Sequence, residues 1–202
     1  MWCILRGEDI DYTHEWTTGP WKAEVNVMSK DMIMADAAEL DGNWAMTHGA
    51  YTNILPLYDP DEFFPTLTGV VTAHPDEDTN AIIHALIVGE IYEMVGKIRN
   101  AQAYDDPSSL PFFVMQLALY GAWLIGLANR HLYTTSSRIF ADSLTMHNHP
   151  AGYDELCQAV MSGALSEPEK LDGLANRFWE GIEVWAQERG IEIEQTLDML
   201  LT

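Results

Sequence analysis

Only two cysteines, Cys3 and Cys157, stand among the 202 residues, and neither belongs to a Cys-x-x-Cys pair. A cysteine-built zinc framework is thereby excluded, and a single long-range disulfide is possible but unforced. Cations are scarce too. There are 10 Lys and Arg against 31 Asp and Glu, a formal net charge of −21, with lysine only at Lys22, Lys30, Lys97 and Lys170. Such a field repels phosphate backbones and anionic lipid, which argues against nucleic-acid and membrane-surface binding. The acids are dispersed, as on the solubilising surface of a protein from a salt-rich cytoplasm. No P-loop and no Gly-x-Ser-x-Gly occurs, and no serine is visibly paired with a base. Repeats and low-complexity tracts are absent as well.

The opening Met-Trp-Cys-Ile-Leu-Arg has neither the basic region nor the apolar stretch of a secretory leader. From Leu110 to Asn129 the chain carries no charge, long enough to span a bilayer. Pro111, Gln116, Gly121 and Gly126 interrupt it, and nothing basic flanks its start, so a buried core helix is expected. A cytoplasmic protein follows.

What is present is a sequence of two textures. Residues 1–28 read as three strands: Met1–Leu5, Asp11–Thr17 and Trp21–Met28. The third alternates, with Trp21, Ala23, Val25 and Val27 on one face and Lys22, Glu24 and Asn26 on the other. Gly19-Pro20 suits a two-residue hairpin loop. Ser29 is placed to cap a helix running to about Leu40, and a proline-containing loop is expected from there to His74. From Thr79 the period is helical, with Ile83, Leu86, Ile87, Ile91 and Val95 as one stripe. Asp105-Asp106-Pro107 breaks it before the uncharged helix. A helix start at Thr134–Ser137, a helix over Gly152–Met161 and a last long helix to Gly190 follow. The last has the capping-box spacing Ser166-x-x-Glu169. The fold class is α+β: a β-rich piece, then an all-α domain from about residue 75.

Two carboxylate arrangements stand out. If Gly19-Pro20 is the loop, Glu15 lies opposite Glu24 on one face of the hairpin. Facing carboxylates repel, so either both point into water or a cation lies between them. Magnesium is the default for hard oxygen ligands, as part of a set completed from elsewhere. Glu93 and Lys97 are spaced i, i+4 with the acid first. They form either a surface ion pair or a general base beside a cation that can hold a phosphate. The hydroxyls and N–H groups of Tyr133-Thr-Thr-Ser-Ser form a helix start or meet a phosphate.

These same segments resemble the kanamycin nucleotidyltransferase family. The likeness runs through His14-Glu-Trp-Thr-Thr-Gly-Pro-Trp-Lys-Ala-Glu24-Val-Asn, Ile54-Leu-Pro-Leu-Tyr-Asp59, Ala85-Leu-Ile-Val88 and Glu93-Met-Val-Gly-Lys97. It continues through Tyr133-Thr-Thr-Ser136, Gly152-Tyr-Asp-Glu-Leu-Cys-Gln158 and Val160-Met-Ser-Gly163. The resemblance implies transfer of AMP from ATP to the 4′-hydroxyl of an aminoglycoside, with magnesium, by a homodimer. It implies a nucleotidyltransferase domain, here residues 1–74 as a remnant, and a C-terminal helical domain, 75–202. Glu93 then falls on the base that takes the hydroxyl proton, and Lys97, with Thr135, on the nucleotide-binding positions. Glu15 and Glu24 fall on carboxylates lining the metal and substrate site, and Glu90 on a substrate-binding acid.

The family's Gly-Ser turn for the triphosphate and its Asp-x-Glu magnesium pair both precede the position matched by Met1. Magnesium and useful transfer are therefore expected only where that segment is present, and the short form on its own is expected to be inactive. The alternative is a non-catalytic, dimerising helical module or ligand-binding remnant. The altered pocket at Gly89-Glu90 and at His48-Gly49-Ala50 leaves the acceptor's identity open. No convincing Arg and His pair on one helix supports a toxin-like RNase.

Overall fold

The fold is that of a computed structural model describing residues 1–5 and 10–193. It divides into two compact units: Met1–Glu39 with Ile54–Ala73, and Leu40–Asn53 with the chain from His74 onward. The β-rich beginning and mostly helical remainder fit the α+β class.

The first unit holds a sheet of three strands, β1 (Trp2–Leu5), β2 (Asp11–Thr18) and β3 (Trp21–Ser29), in the order β1-β3-β2. β1 runs parallel to β3, while β2 pairs with it antiparallel. Ser29 ends β3 and caps α1 (Lys30–Ala37), its hydroxyl accepting from the Met32 N–H at 3.3 Å. Two α-helices and a 3-10 turn (His48–Tyr51) lie in the stretch expected to be loop. α2 (Trp44–Thr47), one turn long, and the 3-10 turn belong to the second unit, and α3 (Phe63–Thr72) belongs to the first, where it packs on α1. α3 hides from sequence reading because its cap is remote. The Asp59 carboxylate accepts from the Phe63 and Phe64 N–H groups at 2.8 and 3.1 Å. Pro65 stands in the first turn, where its missing N–H costs nothing. Ile33 and Ala37 of α1 and Leu67 and Val71 of α3 are fully buried, one turn apart on each helix.

In the second unit, α4 (Asp76–Leu86), a π turn (Ile87–Ile91) and α5 (Tyr92–Ala103) form one continuous rod. Then come α6 (Leu110–Ala128), α7 (Ile139–Ser143), α8 (Tyr153–Ser162) and α9 (Pro168–Glu188). The long uncharged helix is α6, the centre of this unit, with α2, α4, α5, α7, α8 and α9 packed around it. That explains much of its composition, because a helix with so many apolar positions needs protein on most of its sides. It is long and apolar enough to cross a membrane, yet 56% of its apolar window is buried inside the protein.

Tyr133 and Tyr153 bring hydroxyls into this core. Tyr133 donates to the Ala122 carbonyl at 2.7 Å, and Tyr153 pairs with the Ser143 hydroxyl at 2.7 Å. Burial raises both phenols far above their ordinary pKa, so both stay neutral partners. Cys3 and Cys157 are free thiols, and burial pushes Cys157 up to about 11.

The capping box at the start of α9 does not form. Pro168 takes the first helical position, which makes Glu167 the cap residue, with no side-chain cap bond. Ser166 and Glu169 are each displaced by one residue from the positions a box requires. The apolar side of α9 is as the period predicts: Leu171, Leu174, Phe178, Ile182 and Trp185 are all buried.

Candidate functional site

In the first unit the turn sets the geometry. Gly19 has φ +60°, the left-handed conformation that the first position of a II′ hairpin turn demands. It fixes Thr18 opposite Trp21, Thr17 opposite Lys22 and Glu15 opposite Glu24. The repulsion of the two facing acids is relieved by the chain's own ammonium. Lys22 Nζ donates to Glu15 Oε1 at 2.8 Å and to Glu24 Oε2 at 3.2 Å. Asn26 Nδ2 donates to the other Glu24 oxygen at 2.7 Å, and Thr13 donates to Asn26 Oδ1 at 2.7 Å. Asn26 first, and Lys22 second, hold Glu24 below the usual carboxylate range, while Glu15 and then Glu24 raise Lys22.

A carboxylate lowered in the folded state stabilises the fold above its ordinary pKa and loses that contribution as pH falls through the lowered value. The Lys22–Glu24–Asn26 link is therefore expected to persist at a pH where an unlinked glutamate has already protonated. Carbon-detected NMR titration of Glu24 checks this. Asn26→Ala should raise its midpoint, and an unmoved midpoint would contradict the assignment of cause.

Oxygen donors suit magnesium, but Glu15 and Glu24 supply two groups where that ion takes about six ligands, several of them water. Among the described residues no group of three or more His, Cys, Asp or Glu is placed to hold a metal ion. What this face does hold is an ammonium, that of Lys22.

In the second unit the rod from α4 to α5 carries the other acids. Glu93 Oε1 and Lys97 Nζ meet at 2.6 Å on the exposed side of α5, both side chains about half exposed. The Lys97 ammonium also stands over the Phe113 ring of α6, 5.8 Å from its centre. Glu90 belongs to the π turn and is exposed, and beside it Gly89 has no other atom near the place of a Cβ. Burial first, and then the acids Glu90 and Glu93 of the rod, raise the Tyr120 phenol of α6 above its ordinary value.

Sequence reading missed the π turn, although a signal for it was there. Ile83, Ile87, Ile91 and Val95 recur every four residues, and all four are fully buried. A helix of 3.6 residues per turn would carry such a series off its face. One wider turn brings it back, and such turns are frequent at functional sites.

Thr135 begins the turn before α7, and its hydroxyl is used locally. It accepts from the Ser137 N–H at 3.4 Å and lies 3.2 Å from the Ser137 hydroxyl. The loop it stands on is pinned at Gly49, where any Cβ would run into the Tyr133 carbonyl. The structure thus gathers Glu90, Glu93 and Lys97 on one rod and joins Glu15 to Glu24 through Lys22. It joins Thr135 to none of them by a hydrogen bond.

Comparison with known proteins agrees in both halves. Residues 61–192 match the family model described as the KNTase C-terminal domain. Over 194 residues, 96% of the chain, it is 38% identical to an aminoglycoside nucleotidyltransferase (4′) of Staphylococcus aureus, and the match spans 77% of that protein. A protein of the same name from a Bacillus species matches with the same identity and coverage.

Proposed function

Because the chain belongs to the aminoglycoside 4′-nucleotidyltransferase family and carries its KNTase C-terminal domain, we propose that it serves the transfer of AMP from ATP to an aminoglycoside hydroxyl. The observation that carries this is the Glu93–Lys97 pair, 2.6 Å apart and open to solvent on α5. Glu93 takes the proton from the acceptor hydroxyl as its oxygen attacks the α-phosphorus. The bond to pyrophosphate breaks, and the proton remains on Glu93. Lys97 meets the phosphates, and the Thr135 hydroxyl adds a polar contact to them. In such chemistry positioning and charge neutralisation supply most of the rate.

Glu15 and Glu24 in the first unit and, separately, Glu90 in the second each offer carboxylates to ammonium groups of an aminoglycoside. The ammonium of Lys22 already between two of them is the local precedent for that recognition. Magnesium would come with ATP and would neutralise developing phosphate charge; for Glu15 and Glu24 to lend it oxygens, the Lys22 ammonium between them would have to move aside. The enzyme works in the cytoplasm, where ATP is, as a homodimer.

The deciding experiment takes the protein as its own cell makes it and records its intact mass. It then measures pyrophosphate release and the mass of kanamycin after incubation with ATP and magnesium. An adenylylated product supports the reading. Unmodified kanamycin, with no binding of kanamycin in high salt, would overturn it in favour of a non-catalytic helical module.

A further inference from the structure

We propose that the Tyr92 ring is an aromatic wall of the acceptor site, a π face on which an ammonium-bearing sugar ring rests while its hydroxyl meets Glu93. The inference rests on the function proposed above and adds a binding residue to it.

The helical period sets the placement. At about 100° per residue, Glu93 stands on α5 between Tyr92 on one side and Lys97 on the other. Each flank meets a neighbouring helix. On the Lys97 side it is α6, whose Phe113 ring lies beneath the ammonium. On the Tyr92 side it is α9, whose Trp179 ring lies 4.9 Å from that of Tyr92, centre to centre, with the planes at 47°. The ridge left uncovered between the two carries Glu93.

The wall is fixed from behind. Arg99 Nε of α5 donates to Asn176 Oδ1 of α9 at 3.1 Å, and Gln102 Nε2 donates to the Pro168 carbonyl at 3.2 Å. Numbers rise along α5 as they fall along α9, so the two helices run antiparallel and are tied at three levels. Trp179 is itself buried, and its indole N–H donates to Glu183 Oε1 at 2.7 Å. Braced on that indole, the Tyr92 side chain is nevertheless 49% exposed. One part of the ring packs, and the rest is offered to solvent beside Glu93.

Two glycines open the approach to it. Gly89 and Gly96 stand three residues before and four after Tyr92, so both adjoin it on the surface of the rod. At neither does any atom of a neighbouring element come within 4 Å of the place of a Cβ. A glycine inside a helix is less stable than an alanine, and no packing around these two requires one. Bare backbone on both sides of the ring lets a flat ligand settle against it. The ligand's chemistry fits as well, because ammonium groups are drawn to the negative face of an aromatic ring. The protein makes this contact itself, with Lys97 over Phe113 and with Lys30 over Phe63 at 5.4 Å.

The test uses the full chain in high salt, where the diffuse attraction of a −21 protein for any polycation is screened. Dissociation constants for kanamycin and for magnesium ATP are measured in wild type, Tyr92→Phe, Tyr92→Leu and Gly96→Ala. Tyr92→Phe keeps the π face, whereas Tyr92→Leu keeps apolar bulk against Trp179 and removes that face. Kanamycin should bind Tyr92→Phe within about twofold of wild type and Tyr92→Leu about fivefold more weakly, with ATP unchanged in both. Gly96→Ala should melt about 2–4 °C higher and yet bind kanamycin more weakly, a combination that damage to packing cannot produce.

Kanamycin binding untouched by Tyr92→Leu would overturn this inference and leave the functional reading standing. So would an equal loss in Tyr92→Phe and Tyr92→Leu, a loss of ATP in place of kanamycin, or a Gly96→Ala variant that binds kanamycin as wild type does. Failure of the wild type to bind kanamycin would strike the functional reading itself, and this inference with it.

Discussion

Glu93→Gln is expected to lower kcat for adenylyl transfer by about 10²–10⁴-fold while leaving the acceptor's KM nearly unchanged. The substitution suits the question because of what it preserves. A glutamine keeps the length and shape of the side chain. Its carbonyl oxygen can still accept from Lys97 Nζ, so the contact seen at 2.6 Å persists as a hydrogen bond from the ammonium to a neutral acceptor. Only the capacity to take a proton is removed. Steady-state assays with kanamycin and ATP, on the protein as its own cell makes it, separate the two parameters. A variant within a few-fold of wild type in kcat would dismiss Glu93 as the base. A loss confined to KM would make it a binding carboxylate like those proposed at Glu15 and Glu24.

That pair also shows where the sequence was informative. The hairpin was legible to the residue, because Gly19-Pro20 fixes the loop and a period of two leaves no freedom in the partner list. The loop alone puts Glu15 opposite Glu24, as it stands in the structure. What the sequence did not reveal was the occupant of the space between them. Lys22 lies on the same face as Glu24, two residues away, and bridges both acids. The place where a cation is expected between the two acids holds the ammonium of this lysine. A sequence shows which faces side chains share, but not which rotamer a long side chain takes.

The helical unit failed differently. Its stripes were right because burial is a period, and burial does not depend on how a helix begins. Helix ends were less so, in either unit: α3 of the first is capped from four residues away by Asp59, and in the second Pro168 shifts the start of α9 past its capping box. The π turn escaped notice because its residues read as ordinary helix, and only the spacing of four between Ile83, Ile87, Ile91 and Val95 marks a turn wider than the helical period.

Phe178→Ala is expected to be the most damaging single truncation in the chain's helical core, at about 3–5 kcal/mol. The ring is fully buried in the middle of α9. It packs on Tyr153 with centres 5.6 Å apart and faces α6 at Gly121. The hole left behind would have little to fill it. Gly121 has no side chain to lean in, and Tyr153 is tied by its hydroxyl to Ser143. At 2–4 °C per kcal/mol for a chain of this size, thermal unfolding should come roughly 10 °C earlier.

Val184→Ala supplies the contrast on the same helix, since Val184 is 59% exposed and its loss should stay within about 0.5 kcal/mol. Gly181→Ala separates volume from backbone. Helix propensity alone predicts a gain of about 1 kcal/mol, but the new Cβ would run into the backbone of Ala151, which has no rotamer with which to yield. Melting curves that rank Gly181→Ala above wild type would mean that α9 stands further from the Ala151 turn than described. The ranking expected is Val184→Ala close to wild type, with Phe178→Ala and Gly181→Ala both well below it. That order would show that close backbone approach and aromatic volume together fix α9 in the bundle.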